Sequence, residues 1–161
     1  MPGVYISHSV SPWELAQVYV LAKETIRLGL DAFIPHRNWQ PSMGLPADLA
    51  GKLQQAEVIL VFATAKGNYS DWVNRELRAV PLQGKRIVAL KERGVVIAGV
   101  PPQDIVEFDR SDDMYQVIQK VTEHLQGLPL RGQASNLLTG LVIGGLILLL
   151  LRGLDGGGDQ R

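Results

Sequence analysis

The chain has 161 residues, enough for one domain of ordinary size and a short additional segment. Its 16 Lys and Arg residues balance its 16 Asp and Glu residues, so no net charge attracts nucleic acid or an anionic membrane surface. The absence of cysteine excludes disulfide bonds, thiolate metal sites and cysteine nucleophiles. The opening sequence, MPGVYISHSV, lacks the basic-then-apolar order of a signal peptide, which favours a cytoplasmic domain.

The first part of the sequence alternates short β-branched segments with amphipathic ones, as in a parallel sheet with helical crossovers. Residues 4–7, VYIS, are predicted to form the first strand. SPWE at residues 11–14 is a capping box with proline at the first helical position, and the helix that it begins is predicted to end at Leu28. A strand at residues 31–34 and a helix at residues 46–55 follow, separated by a loop that contains proline and glycine.

The next segment, VILVFA at residues 58–63, is apolar on both faces, which predicts a central strand buried on both sides. Ser70 is the predicted N-cap of a helix at residues 71–80. The remaining predicted elements are two strands and a last helix, at residues 86–91, 104–108 and 112–125.

Five βα units of this length predict an α/β fold, a flavodoxin-like, doubly wound parallel sheet of five strands over residues 1–126. Sheets of this kind bind ligands beyond the carboxyl ends of their strands. The loops at residues 7–11, 35–45 and 64–70 are therefore the predicted surroundings of a functional site.

The last part of the chain has a different composition. Residues 132–151 carry no charge and lie between Arg131 and Arg152. At ~1.5 Å rise per residue such a run spans roughly 30 Å, the hydrocarbon thickness of a bilayer. A buried C-terminal helix is one interpretation. The one that we prefer divides this part into a linker, a single transmembrane helix and a short polar tail, at residues 127–136, 137–152 and 153–161.

Two glycines in the apolar run, Gly140 and Gly144, have the spacing that lets transmembrane helices approach closely. We expect them to promote self-association, although glycine is also common in membrane helices that make no such contact. Together with the absence of a signal peptide, the run predicts a single-pass protein of the cell inner membrane whose folded domain is cytoplasmic.

Five short motifs follow one another in the order VYISHS, GLDAFIP, QQAEVILVFAT, SDWVNREL and GKRIVAL. This order resembles that of Toll/interleukin-1 receptor (TIR) domains, and the resemblance covers residues 4–125. TIR domains that cleave NAD carry a W-V/C-x-x-E-L/I pattern at the start of their third helix, and its glutamate is catalytic. The resemblance implies that Glu76 is the catalytic residue and that NAD is the substrate, with no further cofactor and no metal.

The same resemblance implies a substrate pocket built largely from loop residues. Many members of the family have an acid after the second strand, where this chain has Pro35 and His36. They often have an aromatic residue at the end of the following loop, where this chain has Leu45, and Trp39 in the same loop could replace it. The residues expected to bind the substrate are Ser7, His8, Arg37, Trp39, Leu45 and Trp72.

Several of these residues have an alternative interpretation. Arg37 either meets a phosphate or is a solvated loop residue, and Trp39 either stacks on a ring of the ligand or packs against the next helix. His8 and His36 either lie at the rim of the pocket or are polar loop residues. Glu76 is either the catalytic carboxylate or a solvated acid of the helix.

The predicted third helix places Glu76 in an unusual position. Val73, Leu77 and Val80 recur at i, i+4 and i+7 and are expected to face the sheet. Trp72 and Glu76, spaced i and i+4, are expected to lie together on a half-buried flank of the helix. A carboxylate that loses hydration beside an indole is the kind of group that functional sites use.

Two functions are open. In the first, a membrane-tethered enzyme hydrolyses or cyclises NAD and releases nicotinamide when an upstream signal assembles it, as in bacterial antiviral defence or cell suicide. One carboxylate is enough for this reaction, because nicotinamide leaves as a neutral group and needs no general acid. In the second, a TIR-like module without enzymatic activity senses a nucleotide or another TIR domain and clusters the transmembrane helices. In both, we expect self-association through the TIR-like domain and the transmembrane helix.

Overall fold

The structure, a computed structural model, describes residues 1–67, 71–79, 81 and 84–130. Within them, five parallel strands form one sheet in the order β2-β1-β3-β4-β5. The predicted parallel sheet is thus confirmed. The chain adds β2 on one side of β1 and the later strands on the other side, so the order of the strands reverses at β1. The strands are β1 (Gly3–Ser9), β2 (Asp31–Phe33), β3 (Val58–Ala63), β4 (Arg86–Glu92) and β5 (Ile105–Phe108).

Helices flank this sheet in two pairs, since α1 contacts α4 and α2 contacts α3. Right-handed crossovers that run in opposite directions from β1 lie on opposite faces of a sheet, so the two pairs form separate layers. This arrangement is the predicted doubly wound architecture. The helices of the described residues are α1 (Leu15–Arg27), α2 (Ala47–Gln55), α3 (Asp71–Ala79) and α4 (Met114–Gln126).

The central position of β3 follows from a sequence that suits burial on both faces. All of its residues are buried, and it pairs in register with β1 on one side and β4 on the other. Ile59 and Val61 form a core cluster with Val73 and Leu77 of α3. The i, i+4 pair of α3 therefore docks the helix on the sheet, and this docking determines where Glu76 lies.

The start of α1 differs from the prediction. Only half of the expected capping box forms, since the backbone N of Ser11 donates to Oε2 of Glu14 at 2.8 Å but Oγ of Ser11 has no hydrogen-bond partner among the described residues. Pro12–Glu14 is a 3₁₀ turn, closed by a hydrogen bond from Glu14 N to Ser11 O, and the α-helix begins at Leu15. Oε2 of Glu14 also accepts a hydrogen bond of 2.6 Å from Thr64, so the turn is tied to the end of β3.

The connection from β4 to β5 contains no α-helix. Residues 93–101 form an irregular loop, and Pro102–Asp104 is a short 3₁₀ turn. A loop rather than a helix therefore lies beside the carboxyl end of β4. Another 3₁₀ turn, Pro41–Met43, lies between β2 and α2.

Some predicted features lie outside the described residues. These are the transmembrane helix at residues 137–152, the polar tail at residues 153–161, most of the linker at residues 127–136, the N-cap Ser70 and the core position Val80. In the part of the chain that the structure describes, no helix combines the length and the apolar character needed to cross a bilayer. Met1–Leu128 form one compact unit.

Candidate functional site

The site lies at the carboxyl end of β1, which has β2 on one side and β3 on the other. The chain adds β2 in one direction and the later strands in the other, and such a reversal opens a crevice beyond the strand ends. α3 borders this crevice, since it contacts both β1 and the 3₁₀ turn Pro41–Met43. This is the position at which doubly wound sheets bind ligands.

Glu76 lies on the face of α3 that packs against β1, with none of its side chain exposed. Its Oε1 accepts a hydrogen bond of 2.9 Å from the hydroxyl of Ser7, and its Oε2 accepts one from the hydroxyl of Tyr5. Tyr5 and Ser7 are two positions apart on β1, so their side chains project from the same face of the sheet. The expected half-buried flank is therefore wrong for this residue, because the two hydroxyls satisfy a carboxylate that lies against the strand.

Arg37 supplies the charge that balances this buried carboxylate. Its Nη2 lies 2.6 Å from Oε1 of Glu76. The same guanidinium donates to the backbone O of His8 from Nη2 at 2.7 Å and from Nε at 3.1 Å. The interpretation of Arg37 as a solvated loop residue is wrong, because the guanidinium is engaged with the carboxylate and with the backbone of β1.

The tryptophans form the rim of the site. The rings of Trp39 and Trp72 meet edge to face, with 4.8 Å between their centroids. Cζ of Arg37 lies 5.5 Å from the centroid of the Trp72 ring, within the range of a cation–π interaction. Trp39 also donates from Nε1 to the backbone O of His36 at 3.1 Å. The loop after β2 is thus fastened to the start of α3 by one aromatic pair and one guanidinium.

The two histidines have different surroundings. His8 is buried, and its Nδ1 lies 3.3 Å from the backbone O of Ile6. Burial, reinforced by the positive charge of Arg37, lowers the pKa of His8 from about 6.5 to about 4, so its ring is neutral at pH 7. His36 is exposed and pairs through Nε2 with Oδ2 of Asp48 on α2 at 3.0 Å. Of the two, only His8 is close to the residues around Glu76.

Leu45 is half-buried and packs against the core cluster that contains Tyr5 and Val73. The structure therefore brings together Ser7, Arg37, Trp39 and Trp72 around Glu76, with Leu45 at the adjoining core. His8 takes part only through its backbone O, which accepts from Arg37, because its side chain projects from the opposite face of β1 to that of Ser7. In the described residues, no group of three or more His, Asp or Glu side chains could share a metal ion.

Tyr5 is a site residue that the sequence analysis missed. Burial, followed by the negative charge of Glu76, raises the pKa of its hydroxyl well above the ordinary range, so the group remains a hydrogen-bond donor. The signal was present in the first strand, where the polar atoms of Tyr5 and Ser7 alternate with apolar residues. Without the position of α3, nothing indicated which buried acid they would meet.

Gly67 has a specific role in the loop after β3. The loop after β3 passes so close to the end of β1 that a Cβ at Gly67 would collide with the backbone carbonyl of Ser9. Ser9 donates from its hydroxyl to the backbone O of Gly67 at 2.5 Å. The close approach holds Gly67 and the residues just after β3 against the strand that carries Ser7.

Comparisons with known proteins bear on the fold. Neither a comparison with protein-family models nor one with curated proteins finds a match. Among solved structures, the chain is similar to the crystal structure of the RPS4 and RRS1 TIR domain heterodimer, with 8% identity and a TM-score of 0.53 over 78% of this chain and 96% of that chain. The described domain therefore has a TIR-like fold, which the motif order predicts.

Two further structures are similar at lower scores. A prokaryotic SEFIR domain has 15% identity and a TM-score of 0.48 over 82% of this chain and 100% of that chain. The TIR domains of the activated Roq1 resistosome, which directly recognises the pathogen effector XopQ, have 14% identity and a TM-score of 0.46 over 78% of this chain and 82% of that chain.

Proposed function

We propose that this protein is a membrane-tethered TIR-like effector that cleaves NAD, with Glu76 as its catalytic carboxylate. The observation that carries the proposal is the place of Glu76. It is a buried anion at the switch point of a doubly wound sheet, held by Tyr5 and Ser7 and bordered by Trp39 and Trp72. Buried, oriented charges at such a crevice are typical of catalytic groups.

A single fixed carboxylate is sufficient for the proposed cleavage of NAD. The bond between C1′ of the ribose and the nicotinamide nitrogen breaks, and its electron pair neutralises the positive charge of the nicotinamide ring. The ribosyl group that remains has oxocarbenium character, which a fixed carboxylate stabilises. Water then adds to C1′ and loses a proton, giving ADP-ribose, or an adenine nitrogen of the same molecule adds instead, giving the cyclic product.

Arg37 must leave Glu76 before NAD can enter. The carboxylate is fully buried, and the guanidinium occupies the side of Oε1 that faces the loop after β2. The cationic nicotinamide riboside would take the place of this positive charge, and the released Arg37 would be close enough to contact a phosphate of the same substrate. The closed arrangement is therefore the resting state of the enzyme.

Assembly is the proposed trigger for opening. The TIR domains of RPS4 and RRS1 form a heterodimer, and the resemblance to TIR enzymes implies that a neighbouring protomer's loop completes the active site. Contact between two copies would move the loop that carries Arg37 and Trp39. The transmembrane helix at residues 137–152 would hold the domains at the inner membrane, with the TIR-like domain in the cytoplasm, and raise their local concentration.

A second candidate function is a TIR-like signalling module without enzymatic activity. The observation that favours it is the complete pairing of Glu76, which is what a structural ion pair also requires. In that case the module would transmit a signal by clustering its transmembrane helices.

A single assay separates the two functions. Full-length protein is reconstituted in lipid vesicles at high surface density, and nicotinamide release from NAD is followed by chromatography. We expect turnover in the wild type and a loss on the order of 10² or more in Glu76→Gln, as for removal of a main electrostatic stabiliser. Turnover that survives in a folded Glu76→Gln protein would sink the assignment of this residue. No turnover in the assembled wild type would favour the signalling module.

A further inference from the structure

A second cavity lies on the other flank of α3 from Glu76. At 100° per residue, Trp72 and Glu76 lie on one side of the core-facing pair Val73 and Leu77, and Asn74 and Arg78 lie on the other. The cavity has a volume of about 600 Å³, within the usual range for small-molecule sites. It is enclosed by the carboxyl end of β3, by α3 and by the loop that follows β4.

The charges around this cavity are positive. Among the described residues that line it are two arginines, Arg78 on α3 and Arg93 after β4, and neither aspartate nor glutamate. The guanidinium of Arg78 makes no hydrogen bond or ion pair with any other residue that the structure describes. An arginine that faces a cavity without a carboxylate partner is a ready donor for an anion.

Arg93 lies on the opposite wall and forms ion pairs with two carboxylates. Its Nη2 lies 3.0 Å from Oδ2 of Asp109 and its Nε 3.4 Å from Oε1 of Glu107, both beside the end of β5. Glu107 is shared with Lys91, whose Nζ lies 2.6 Å from Oε2. The third nitrogen of Arg93, Nη1, has no partner among the described residues and remains available to a ligand in the cavity.

The rest of the lining is mostly apolar. Ala65 after β3 and Val95, Val96 and Ala98 in the loop after β4 supply its apolar surface, and the remaining lining residues are Thr64, Asn74 and Gly94. Ile97 anchors this loop in the core, whereas the Val96 side chain is 79% exposed. A planar ring of a ligand that packed against the apolar residues of this loop would remove their surface from water, which favours binding.

We propose that this cavity binds a small phosphate monoester with a nucleoside-sized body, whose phosphate contacts Arg78 and Arg93. Guanidinium groups on two walls suit a group that carries nearly two negative charges at pH 7, and the volume suits a ligand much larger than a free anion. The cavity lies at the carboxyl ends of β3 and β4, the edge of the sheet at which such folds bind ligands. The site shares no lining residue with the proposed NAD site.

Calorimetric titration of the full-length protein in detergent micelles tests the proposal, with adenosine monophosphate as the probe. We expect it to bind at least tenfold more tightly than adenosine or inorganic phosphate alone. Arg78→Gln should weaken binding at least tenfold, as should Arg93→Gln. Arg75→Gln is the matched control, because Arg75 is an exposed arginine of the same helix that points away from the cavity. Equal affinity in all three variants would overturn the proposal, as would adenosine binding as tightly as adenosine monophosphate.

A pair of substitutions at Ala98 tests the sign of the charge without touching either arginine. Ala98→Glu adds a negative charge to the lining and should abolish binding, whereas Ala98→Lys should strengthen it. Opposite shifts from this exposed position cannot come from unfolding. No difference between the two variants would contradict an anion site here.

Adenosine monophosphate is also a fragment of NAD, so its location must be established. Trp39→Ala removes an aromatic ring next to Glu76 and leaves the second cavity unaltered, so it should bind the probe with wild-type affinity. Binding that is lost in Trp39→Ala and retained in Arg78→Gln would place the ligand beside Glu76 and overturn the second site. This titration measures no NAD turnover, so its outcome is independent of the proposed enzyme activity.

Discussion

A single buried ion pair dominates the site at the scale of residues. Burying two charges is costly, and the pair between Arg37 and Glu76 is stable only because hydrogen bonds satisfy the remaining atoms. Ser7 and Tyr5 donate to the carboxylate, and the backbone O of His8 accepts from the guanidinium. Arg37, Tyr5 and Ser7 rather than solvent satisfy the Glu76 carboxylate, so removing one of these partners should disturb the fold as well as the chemistry.

Glu76→Gln should therefore lower the free energy of unfolding by about 1–3 kcal/mol, since Arg37 keeps its charge and loses its partner. The double variant Arg37→Gln/Glu76→Gln should regain part of that loss, which a double-mutant cycle from urea denaturation measures. Arg27→Gln is the control, because it breaks an exposed pair with Glu24 and should change stability by less than about 0.5 kcal/mol. Strict additivity of the two single substitutions would contradict the pair.

His8 should make the stability of the protein depend on pH. Its pKa is about 4 in the folded protein and about 6.5 when unfolded, so between these values only the unfolded chain binds the proton. Folding stability attributable to His8 is then complete above about pH 6.5 and falls by on the order of 3 kcal/mol as the pH drops to about 4.

The measurement is urea denaturation of the wild type and His8→Gln between pH 7 and pH 4. Carboxylates elsewhere titrate in both proteins, so the difference between the two curves isolates the histidine. The wild type should lose more stability than the variant over this range. Parallel curves would show that the His8 ring is solvated rather than buried.

At the scale of secondary structure, α3 contributes residues to both proposed sites. Val73 and Leu77 dock it on the sheet, which leaves Glu76 on one flank and Arg78 on the other. Gly67, in the connection from β3 to α3, packs directly against the backbone of β1. A shift of this part of the chain should therefore displace residues at both sites.

Gly67→Ala tests this dependence. A Cβ at Gly67 would collide with the backbone of β1, which cannot move without breaking the sheet, so we expect a loss of about 1–3 kcal/mol. Gly51→Ala, within α2, is the matched control, because a Cβ there meets nothing within 4 Å and alanine favours a helix by roughly 0.5–1 kcal/mol. Thermal unfolding of both variants gives the comparison. A Gly67→Ala protein as stable as the wild type would show that the loop is free to shift.

At the scale of the whole molecule, the proposed function assigns NAD cleavage to the TIR-like domain and assembly to the predicted membrane segment. In that proposal, contact between protomers opens the closed arrangement around Glu76. The apolar run of the sequence supplies a way to bring protomers together, because tethering raises their local concentration.

Replacing both Gly140 and Gly144 with leucine separates tethering from clustering. The segment remains apolar and long enough to span a bilayer, so tethering should persist. Close approach of two backbones would be blocked, and we expect less crosslinked oligomer from the full-length protein in membranes and lower NAD turnover with it. Equal yields of crosslinked oligomer from the two proteins would rule out a clustering role for these glycines.

Local patterns were sufficient for most of the fold. The alternation of short apolar runs with amphipathic segments predicted the five strands and the helices between them. The VILVFA run alone placed β3 at the centre of the sheet. At the start of α1 the same reasoning erred by one turn, because Glu14 is held by Thr64, a residue 50 positions away. A prediction from neighbouring residues cannot take account of a partner so distant in the sequence.

The sequence by itself determined the parallel α/β sheet, which depends on short-range periodicity. It also predicted the edge of the sheet at which a site would form, and the resemblance of its motifs to those of TIR domains implied Glu76 as the catalytic residue. Only the tertiary structure showed that Glu76 is fully buried and which residues it contacts. Tyr5 and Arg37, which bury and neutralise the carboxylate, lie 71 and 39 positions from Glu76 along the chain. The second cavity likewise combines α3 with the loop after β4. Contacts of this kind depend on the order in which strands pair and on how deeply a helix docks, and these are properties of the assembled sheet rather than of any segment.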